Sequence, residues 1–330
     1  MKVGLFYNLR KDWSLSSINP IDLNADWDVI DTIERIKEGL VSNNFEVLDL
    51  KDPVLLFDEK IREKIDIVFS ICEMQGFRYR ESIVSTICEL LHIPYVFSTP
   101  DTLMISLDKN ICNFLVKQAG CNLPNWFYIK SVDDIDNVMF QKYPYILKPS
   151  AEGSGIGINS KSVVYNFSEL QFQLKNLFSL YKQPILIQEY IIGREITIGV
   201  IEKNGILETF TPLELKPKTA EDFIVYGFNE KENADNLFEF IPLIDDKNLI
   251  IEINKLATNV FKSINCRDAA RIDIRISKDN VPYFIEINPL PHLHPDIGDF
   301  CRSAKASNIS YSVLLKNIME NAMKRFNLKL

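Results

Sequence analysis

The sequence lacks the features that would place it in a membrane, in an oxidising compartment or on nucleic acid. No apolar run in its 330 residues approaches the roughly 20 residues that cross a bilayer, and its start lacks the length and flanks of a signal peptide. Its six cysteines have no CxxC spacing, which predicts buried thiols in a reducing compartment. The net charge of −8 disfavours duplex DNA or an anionic membrane as a partner. These absences leave a cytoplasmic enzyme as the expected class.

Internal repeats and two well-known phosphate-binding signatures are also missing. The glycine-rich run at 145–157 (YILKPSAEGSGIG) contains no Gly-Lys-Ser/Thr, so it is not a Walker A loop, and no helix follows it as a dinucleotide fingerprint requires. What is present is ordinary for a globular protein, with 46% hydrophobic and 25% charged residues. The length predicts two or three domains.

The first hundred residues alternate strands with helices, which is typical of a doubly wound α/β unit with a parallel sheet. Ligands of such sheets bind beyond the carboxyl ends of the strands, which here carry Asn8, Arg10 and Glu73. The pattern predicts strands at 2–7, 45–50, 65–71 and 95–97 and helices at 28–43 and 82–91.

Two further units mix strands and helices with hairpin-like spacing. We place the three units at 1–98, 99–188 and 189–330. In the second we expect helices at 108–119 and 168–180 and strands at 126–129, 145–148, near Ile158 and at 185–189. In the third we expect strands at 195–201 and 206–215 joined at Asn204-Gly205, a helix at 249–263, two strands with an acidic motif, and a closing helix at 303–326. The long polar stretch 216–236 predicts a functional loop.

The acidic motif places Asp273 and Glu286 inside otherwise apolar strand patterns, ARIDIRI and YFIEINP. Buried carboxylates are costly unless a cation pairs with them. With the amide oxygen of Asn288 they offer the hard oxygen ligands that Mg²⁺ prefers, so the motif predicts a magnesium site that holds nucleotide phosphates. The alternative is that Arg271 and Asp273 merely alternate outward on a half-exposed strand.

The glycine-rich run predicts a phosphate cradle. Gly153, Gly155 and Gly157 allow positive φ and close backbone approach, and amides exposed in such a turn can bind phosphate oxygens. Lys148 at the end of the preceding strand adds a positive charge; a plain hairpin is the alternative. Lys109 at a helix start offers a second cation, unless it is a solvated surface lysine.

Residues 188–191 and Glu195 lie where the second unit meets the third, and such junctions are common ligand clefts. An adenine in this cleft would need backbone hydrogen bonds and apolar walls. Glu195 offers a carboxylate to ribose hydroxyls.

Together these residues resemble the ATP-grasp superfamily and, within it, the D-alanine–D-alanine ligase family, over nearly the whole chain. The most specific segments are LDKN (107–110), YILKPSAEGSGIG, LIQEYIIGREITIGVI (186–201), RDAARIDIRIS (267–277) and FIEINPLP (284–291). The resemblance implies an ATP-grasp fold, in which an amino-terminal Rossmann-like domain precedes two α+β subdomains that clamp ATP. It also implies ATP-dependent joining of a carboxylate to an amine through an acyl phosphate.

The same resemblance assigns roles to the matching residues. Those implied to bind ATP are Lys109, Lys148, Glu152, Gly153, Ser154, Gly155, Gly157, Gln188, Glu189, Tyr190, Ile191 and Glu195. Those implied to bind two Mg²⁺ ions, with Mn²⁺ as a substitute, are Asp273, Glu286 and Asn288. Arg271 is implied to stabilise the oxyanion of the reaction, and Ser154 to act in the loop that closes over the phosphates.

The amino-terminal half departs from the family pattern. The family's Gly-Gly-x-Ser loop, with a glutamate that holds the first substrate's ammonium, is replaced by residues 8–12 (NLRKD), and no such glutamate is evident. The family's His-Gly motif is replaced by residues 72–76 (CEMQG). We therefore expect a divergent member that does not make D-alanyl-D-alanine.

Three arginines near these replacements are candidates for substrate binding. Arg10, Arg78 and Arg80, together with Glu73, are expected at a pocket for a further carboxylate or phosphate, because guanidinium groups bind both bidentately. The alternative is that they are surface charges or partners of Glu73 and Glu81.

The loop after Asn288 departs from the family as well. In residues 289–298 (PLPHLHPDIG), Ile297 and Gly298 replace a Ser-Leu pair that binds the second substrate's carboxylate. His292 and His294 either line the acceptor pocket, where a neutral imidazole takes a proton from the attacking ammonium, or bind zinc with Asp296. We assign His292 to catalysis and His294 and Gly298 to substrate binding.

The leading hypothesis is an ATP-dependent carboxylate–amine ligase for small amino-acid-like substrates. The alternatives are a non-amine acceptor, which would give an ester or thioester, and a nucleotide-binding protein without turnover. Retention of Arg271 disfavours the last of these, because binding alone needs no oxyanion arginine. Neither nucleic acid nor a membrane is expected as a partner, and a homodimer follows from family habit alone.

Overall fold

The computed structural model describes most of the chain. The described residues are 1–12, 20, 22–76, 78–137, 140, 142–218, 227 and 233–329. They form three β-sheets flanked by helices, which confirms the expected mixture of one parallel sheet with antiparallel ones. None of the helices within these ranges combines the length and apolar character that crossing a bilayer requires.

The first sheet is parallel, as predicted. Its strands β1 (Lys2–Phe6), β2 (Glu46–Lys51) and β3 (Ile67–Ser70) lie in the order β2-β1-β3. Helix α1 (Ile30–Val41) makes the crossover from β1 to β2. The strand expected at 95–97 is wrong, because this stretch forms only an isolated bridge between Val68 and Tyr95.

Four helices come next along the chain, one between β2 and β3 and three after β3. They are α2 (Glu59–Arg62), α3 (Ile83–Leu91), α4 (Pro100–Leu107) and α5 (Lys109–Gln118). The sequence analysis missed α4, although Pro100 at its first turn is a common helix start. Asp108 ends α4 and caps α5, because its side chain accepts hydrogen bonds from the amides of Asn110 and Ile111. This cap sets Lys109 at the first position of α5.

The second sheet is antiparallel and carries helix α6 (Phe167–Tyr181). Its strands β4 (Trp126–Ile129), β5 (Tyr145–Pro149), β6 (Val163–Val164) and β7 (Ile185–Glu189) lie in the order β4-β7-β5-β6. The strand expected near Ile158 is wrong. Ile158 belongs to the glycine-rich turn, where its amide bonds the carbonyl of Gly155, and the short strand comes later, at β6.

The third sheet holds the acidic motif. Its strands are β8 (Gly193–Lys203), β9 (Ile206–Thr209), β10 (Leu213–Pro217), β11 (Phe238–Pro242), β12 (Ala269–Ser277) and β13 (Pro282–Asn288). They lie in the order β11-β10-β8-β12-β13, with β9 paired to β8. The predicted hairpin at Asn204-Gly205 is confirmed, but the strand expected at 206–215 is two strands. Helix α8 (Lys247–Ser263) packs on this sheet, and the short α7 (Ala234–Leu237) precedes β11.

The chain ends in two helices where we expected one. They are α9 (Asp299–Ala306) and α10 (Tyr311–Arg325). The break has a local cause, since Asn308 adopts a positive φ and Ser310 caps α10 through the amide of Val313. Apolar residues of α10 share one buried core with the first sheet and with Phe210, so the end of the chain packs against its beginning.

Candidate functional site

The cross-strand register brings the acidic motif together. On β12 and β13, Asp273 lies opposite Glu286, and Arg271 lies opposite Asn288. Alternation along β12 puts Arg271 and Asp273 on one face, where the guanidinium donates to both carboxylate oxygens at 3.0 and 2.9 Å. Thr197 on the neighbouring strand β8 also donates to Asp273, at 2.9 Å. The expected side chains therefore converge, and the alternative of an outward-facing strand position is wrong for Arg271, which is buried.

The same face lines a cavity of about 80 Å³ between the second and third sheets, which we call the inter-sheet cleft. The cleft residues proposed from the sequence are Lys148, Gly155, Gln188, Glu189, Tyr190, Ile191, Glu195, Asp273 and Glu286. Its other lining residues include Arg275 and the isoleucines Ile146, Ile158, Ile274 and Ile285. The cleft thus combines apolar walls with four carboxylates and a lysine, which are groups that suit a nucleotide and its metal ions.

Both predicted lysines are buried at this cleft, so neither is a solvated surface residue. The Lys109 ammonium lies 3.1 Å from Glu286 and donates to the carbonyl of Glu152. Burial lowers the pKa of Lys148 from its ordinary 10.5 to about 8, against the opposing effect of Glu286. A buried lysine whose charged form is destabilised gains most when a phosphate arrives.

A buried amide in the cleft fits a nucleotide base. The side-chain nitrogen of Gln188 is buried and has no hydrogen-bond partner among the described residues. An unmet donor of this kind is costly, and a ligand acceptor would satisfy it. For metal ions, Asp273, Glu286 and Asn288 supply hard oxygens on adjacent strands, which leaves further coordination sites to phosphate oxygens and water. The residues present therefore fit both groups.

Arg275 supports the segment that begins at 188–191, and the sequence analysis missed it. Its guanidinium donates to the carbonyls of Ile191 and Gly193 and to Glu195, at 2.7, 3.0 and 2.9 Å. It also stacks over the Tyr190 ring at 4.5 Å. Its position on β12, four residues after Arg271, was the available signal, because residues two apart share a strand face.

The glycine-rich loop lies between the cleft and the amino-terminal part of the chain. Gly157 has φ +76°, and a side chain there would meet Pro149 at 2.5 Å, so this turn requires glycine. The Gly157 amide donates to Asp22 at 2.8 Å, and the Tyr181 hydroxyl donates to the same carboxylate. Ser154 lies at the tip with φ +48°.

A second cavity, of about 400 Å³, is also lined by Arg271 and Asn288 of the acidic motif, and we call it the large pocket. Its polar lining includes Arg10, Asp26, Asp28, Glu73, Ser154, Asn233, Asp235, Arg271, Asn288, His292, Asp299 and Arg302. Trp27, Ile71, Leu290, Leu293 and Ile297 supply apolar walls. Arg271 thus faces the large pocket while Asp273, two residues later, faces the inter-sheet cleft.

The two histidines of the 289–298 loop have different environments. His292 lines the large pocket, and its Nε2 lies 3.3 Å from Asp28. His294 is buried, and its Nε2 lies 2.8 Å from Asp31 of α1. The His294 Nδ1 accepts from the amides of Asp296 and Ile297 at 3.2 and 3.3 Å, so both ring nitrogens serve the loop. No zinc-like cluster of three His, Cys, Asp or Glu side chains occurs in the described ranges.

Gly298 is a backbone element of that loop, not part of the pocket lining. A side chain there would meet the carbonyl oxygens of His292 and His294 at 2.4 and 2.7 Å, so only glycine allows this close approach. His294 and Gly298 therefore shape the loop, while its neighbours Ile297 and Asp299 reach the pocket.

The three arginines expected at one pocket are not brought together. Arg10 lines the large pocket and donates to the carbonyls of Trp27 and Ala25 at 2.6 and 3.0 Å. Arg78 bonds Asp108 and the Tyr128 hydroxyl. The alternative that arginines pair with Glu73 or Glu81 holds only for Arg80 and only at longer range, since Arg80 opposes the rise of the pKa of both glutamates but its hydrogen bonds go to Asp26, Glu152 and Ala151.

Arg80 joins the glycine-rich loop to the segment at 26–28. It is buried, and it donates to Asp26 at 2.5 Å, to Glu152 at 2.9 Å and to the Ala151 carbonyl at 3.2 Å. Asp26 and Asp28 were both missed by the sequence analysis. Asp26 precedes the helix predicted at 28–43, and Asp28 is the first residue of that prediction although α1 begins at Ile30, so the helical period gave neither residue a role in a site.

Two loop residues cannot be placed. Tyr226 and Lys231, two side chains of the polar stretch 216–236 that could close over the site, lie outside the described residues. Residues 233–236 of the same stretch do line the large pocket, and Asp235 bonds Arg302 at 2.5 Å.

Known proteins resemble this chain along almost its whole length. Residues 115–320 match the family model described as D-ala D-ala ligase C-terminus. A D-alanine–D-alanine ligase of Fervidobacterium nodosum is 32% identical over 308 residues, which cover 88% of this chain and 93% of the relative. D-alanine–D-alanine ligase B of Clostridium perfringens is 26% identical, with 98% and 99% covered.

Solved structures show the same fold at lower identity. The D-alanine–D-alanine ligase of Bacillus anthracis complexed with ATP superposes with a TM-score of 0.75 and 24% identity, and 99% of each chain is covered. The VanG D-Ala:D-Ser ligase of Enterococcus faecalis gives a TM-score of 0.73 at 17% identity, with 97% of this chain and 99% of that chain covered.

Proposed function

The chain belongs to the D-alanine–D-alanine ligase family, and from that premise we propose that it activates an amino-acid-like carboxylate in the large pocket and joins it to an amine. It is an ATP-dependent ligase that forms a carbon–nitrogen bond. One observation carries the proposal for the site. Arg271 faces the large pocket, and Asp273, its partner two residues on, faces the inter-sheet cleft. Strand β12 therefore carries both the carboxylate assigned to the metal ions at the phosphates and the guanidinium assigned to the substrate carbonyl.

The inter-sheet cleft is our assignment for ATP. Residues 188–191 hold the base, with the unpaired Gln188 amide available to it, and Glu195 holds the ribose. Lys109 and Lys148 neutralise phosphate oxygens under the glycine-rich loop. Asp273, Glu286 and Asn288 would hold two Mg²⁺ ions, or Mn²⁺, which would supply charge neutralisation during phosphoryl transfer.

The carboxylate of the first substrate attacks the γ-phosphorus of ATP, ADP leaves with the electron pair of the broken P–O bond, and the carboxylate becomes an acyl phosphate. An amine then attacks the activated carbonyl, and phosphate leaves with the electron pair of the broken C–O bond. Arg271 donates to the oxyanion that develops in this second step. The loop at 152–157 excludes water, which would otherwise hydrolyse the acyl phosphate.

We assign proton removal from the attacking ammonium to His292. It is the histidine that lines the large pocket, and Asp28 beside it at 3.3 Å stabilises the imidazolium once the proton is taken. Asp28 also lines the large pocket, so we assign to it the α-ammonium of the first substrate.

The substrate pair is proposed to differ from two D-alanines. The support lies in the loop at 289–298, where Ile297 and the backbone-constrained Gly298 replace the acceptor-binding pair, and in Glu73, an acidic group at the edge of the pocket. The support for a cytoplasmic location is the burial of all six cysteines as free thiols. Homodimer formation stays a proposal from family habit.

An ADP-release screen over amino acids and dipeptides, supplied pairwise in both stereochemical forms, tests the function. ADP release must depend on both partners, and the product mass must equal that of the two substrates less one water. The D-alanine pair should be a poor substrate. Release of ADP with water alone as acceptor, or the same low rate with every pair, would refute the proposal.

His292→Gln tests the proton-transfer role. We expect the rate of amide formation at saturation to fall by about 10²–10⁴-fold, with little change in the KM for ATP. A hydroxyl acceptor that yields an ester would point to the alternative acyl acceptor class.

A further inference from the structure

A third, smaller cavity adjoins the large pocket, and we call it the acidic cavity. It is lined by Asp26, Glu73, Glu81, Ser154, Glu286 and Asn288, among others. It shares Asp26, Glu73, Ser154 and Asn288 with the large pocket, so the two are direct neighbours. It therefore lies beside the place where the first substrate's carboxylate must meet the metal ligands.

The carboxylates of this cavity have unmet hydrogen-bonding capacity. Glu73 and Glu81 accept no hydrogen bond and form no ion pair within the described part of the chain. The Asp26 side chain is 2% exposed and pairs with Arg80 through Oδ2, but its buried Oδ1 has no partner. Arg80 is itself shared between Asp26 and Glu152, so it leaves Glu73 and Glu81 without a direct counter-ion.

Such a cluster is costly without a cation. Burial raises the pKa of Glu73 well above its ordinary value, and Asp26 and Glu81 raise it further. Burial also raises the pKa of Glu81 to about 7, against the opposing effect of Arg80. Lys109 and Glu286 act on Glu81 from the metal side with opposite signs. A cation placed among these carboxylates would relieve both the desolvation and the repulsion.

The size of the acidic cavity limits which cation can enter. Its volume of about 20 Å³ is room for a single water-sized group. A primary ammonium has this size and carries three hydrogen-bond donors, one for each carboxylate of Asp26, Glu73 and Glu81. A guanidinium or imidazolium group is larger than this space.

Resting on the proposed ligase function, we propose that the first substrate is a diamino acid, whose second primary ammonium enters the acidic cavity and binds Glu73, Glu81 and the free oxygen of Asp26. Its carboxylate then lies near Asn288 and Arg271, and its α-ammonium near Asp28. The acidic cavity has to admit only the ammonium group at the end of the substrate's extended side chain.

The experiment compares diamino acids with neutral analogues of the same length. Purified full-length protein is titrated calorimetrically, in the presence of ADP and Mg²⁺, with 2,3-diaminopropionate, 2,4-diaminobutyrate, ornithine and lysine. The neutral analogues, in which a methyl group replaces the terminal amine, are 2-aminobutyrate, norvaline, norleucine and 2-aminoheptanoate, and every compound is used as the D and the L form. We expect one diamino acid to bind at least about 10-fold more tightly than its neutral analogue, because charge-assisted hydrogen bonds replace contacts with water.

Two variants and one control locate the effect. Glu73→Gln and Glu81→Gln keep the side-chain shape and should each reduce the preference for the diamino acid to below about threefold, while binding of the neutral analogue is unchanged or improved. Glu63→Gln changes an exposed carboxylate in the same part of the chain and should leave the preference intact. Thermal unfolding of each variant verifies that it is folded.

Three outcomes would overturn the inference. One is equal binding of diamino and neutral acids, and another is a preference that persists in both glutamine variants. The third is that ligand binding shows a saturable requirement for an inorganic cation. In that outcome the requirement is abolished in Glu73→Gln, and diamino acids are not preferred over neutral ones. Because the readout is binding, failure here with ligation of neutral pairs intact leaves the proposed function standing, whereas no two-substrate turnover at all counts against that function.

Discussion

The inter-sheet cleft and the large pocket share the β12–β13 motif, yet they are built differently. The cleft is formed mainly by paired strands, such as β5 with Lys148 and β12 with Asp273 opposite Glu286, next to a register shift between Asp273 and Ile274. The large pocket is formed mainly by loops and helix ends, including 25–29, 233–236 and 289–298. A site on paired strands fixes its side chains through backbone hydrogen bonds, whereas loops can change their residues without disturbing a sheet. This contrast supports our proposal that the cleft keeps the family's nucleotide chemistry and that the pocket is where this chain differs.

Removing a carboxylate of the shared motif should give the largest effect. We expect Asp273→Asn and Glu286→Gln each to lower ADP release by at least about 10²–10³-fold with every substrate pair, since charge stabilisation at the transferring phosphoryl group is lost. Steady-state ADP release measures this.

The matched control is Glu239→Gln, an exposed carboxylate on β11 of the same sheet, which should retain full activity. If Glu286→Gln stayed within tenfold of the unaltered protein, the cleft would not be the phosphoryl-transfer site. An effect confined to some substrates would place the carboxylate in the pocket instead.

Arg80 joins the glycine-rich loop beside the cleft to Asp26 of the large pocket, and its removal should lower the free energy of unfolding. Arg80→Met leaves Asp26 and Glu152 as buried carboxylates without their cation, which should reduce the free energy of unfolding by about 3–5 kcal/mol. Urea-induced unfolding measures the change.

Arg35→Met is the control, because Arg35 pairs only at the surface of α1; it should cost no more than about 1 kcal/mol. Equal losses in the two variants would mean that the Arg80 pairs do not hold the glycine-rich loop against the segment at 26–28.

The smallest expected effect is a pH dependence of the free energy of unfolding that arises from Lys148 in the cleft. With a folded-state pKa of about 8 against an ordinary 10.5, the unfolded chain binds more protons on Lys148 between these values, so stability rises with pH there. Below pH 8 the buried charge costs up to about 3 kcal/mol. The difference in unfolding free energy between Lys148→Met and the unaltered protein should therefore shrink as pH rises from 7.5 to 10.5.

Lys216→Met, at an exposed position on β10, should show no such change with pH. A constant gap for Lys148→Met across this range would show that Lys148 is solvated in the folded protein, and the cleft would then lose one of its two buried cations.

The strands of the cleft could be predicted because period and composition act locally. The runs at 145–148 and 185–189 and the acidic positions at 273 and 286 are visible as interruptions of apolar patterns. Helix α4 and the break at 307–310 were missed, because they depend on a proline start and a positive φ at Asn308, which a search for apolar period does not register.

The sequence by itself determined the strand pair that we propose for nucleotide binding, because strand alternation and the spacing of Arg271, Asp273, Glu286 and Asn288 leave few arrangements open. Only the tertiary structure decided which side chains meet from distant segments. It placed Asp26 and Asp28 of one loop against Arg80, Glu73 and His292 of others, and it separated Arg78 from the pocket. The physical reason is that pairing within a sheet follows local rules of register, whereas contacts between loops depend on how whole elements pack.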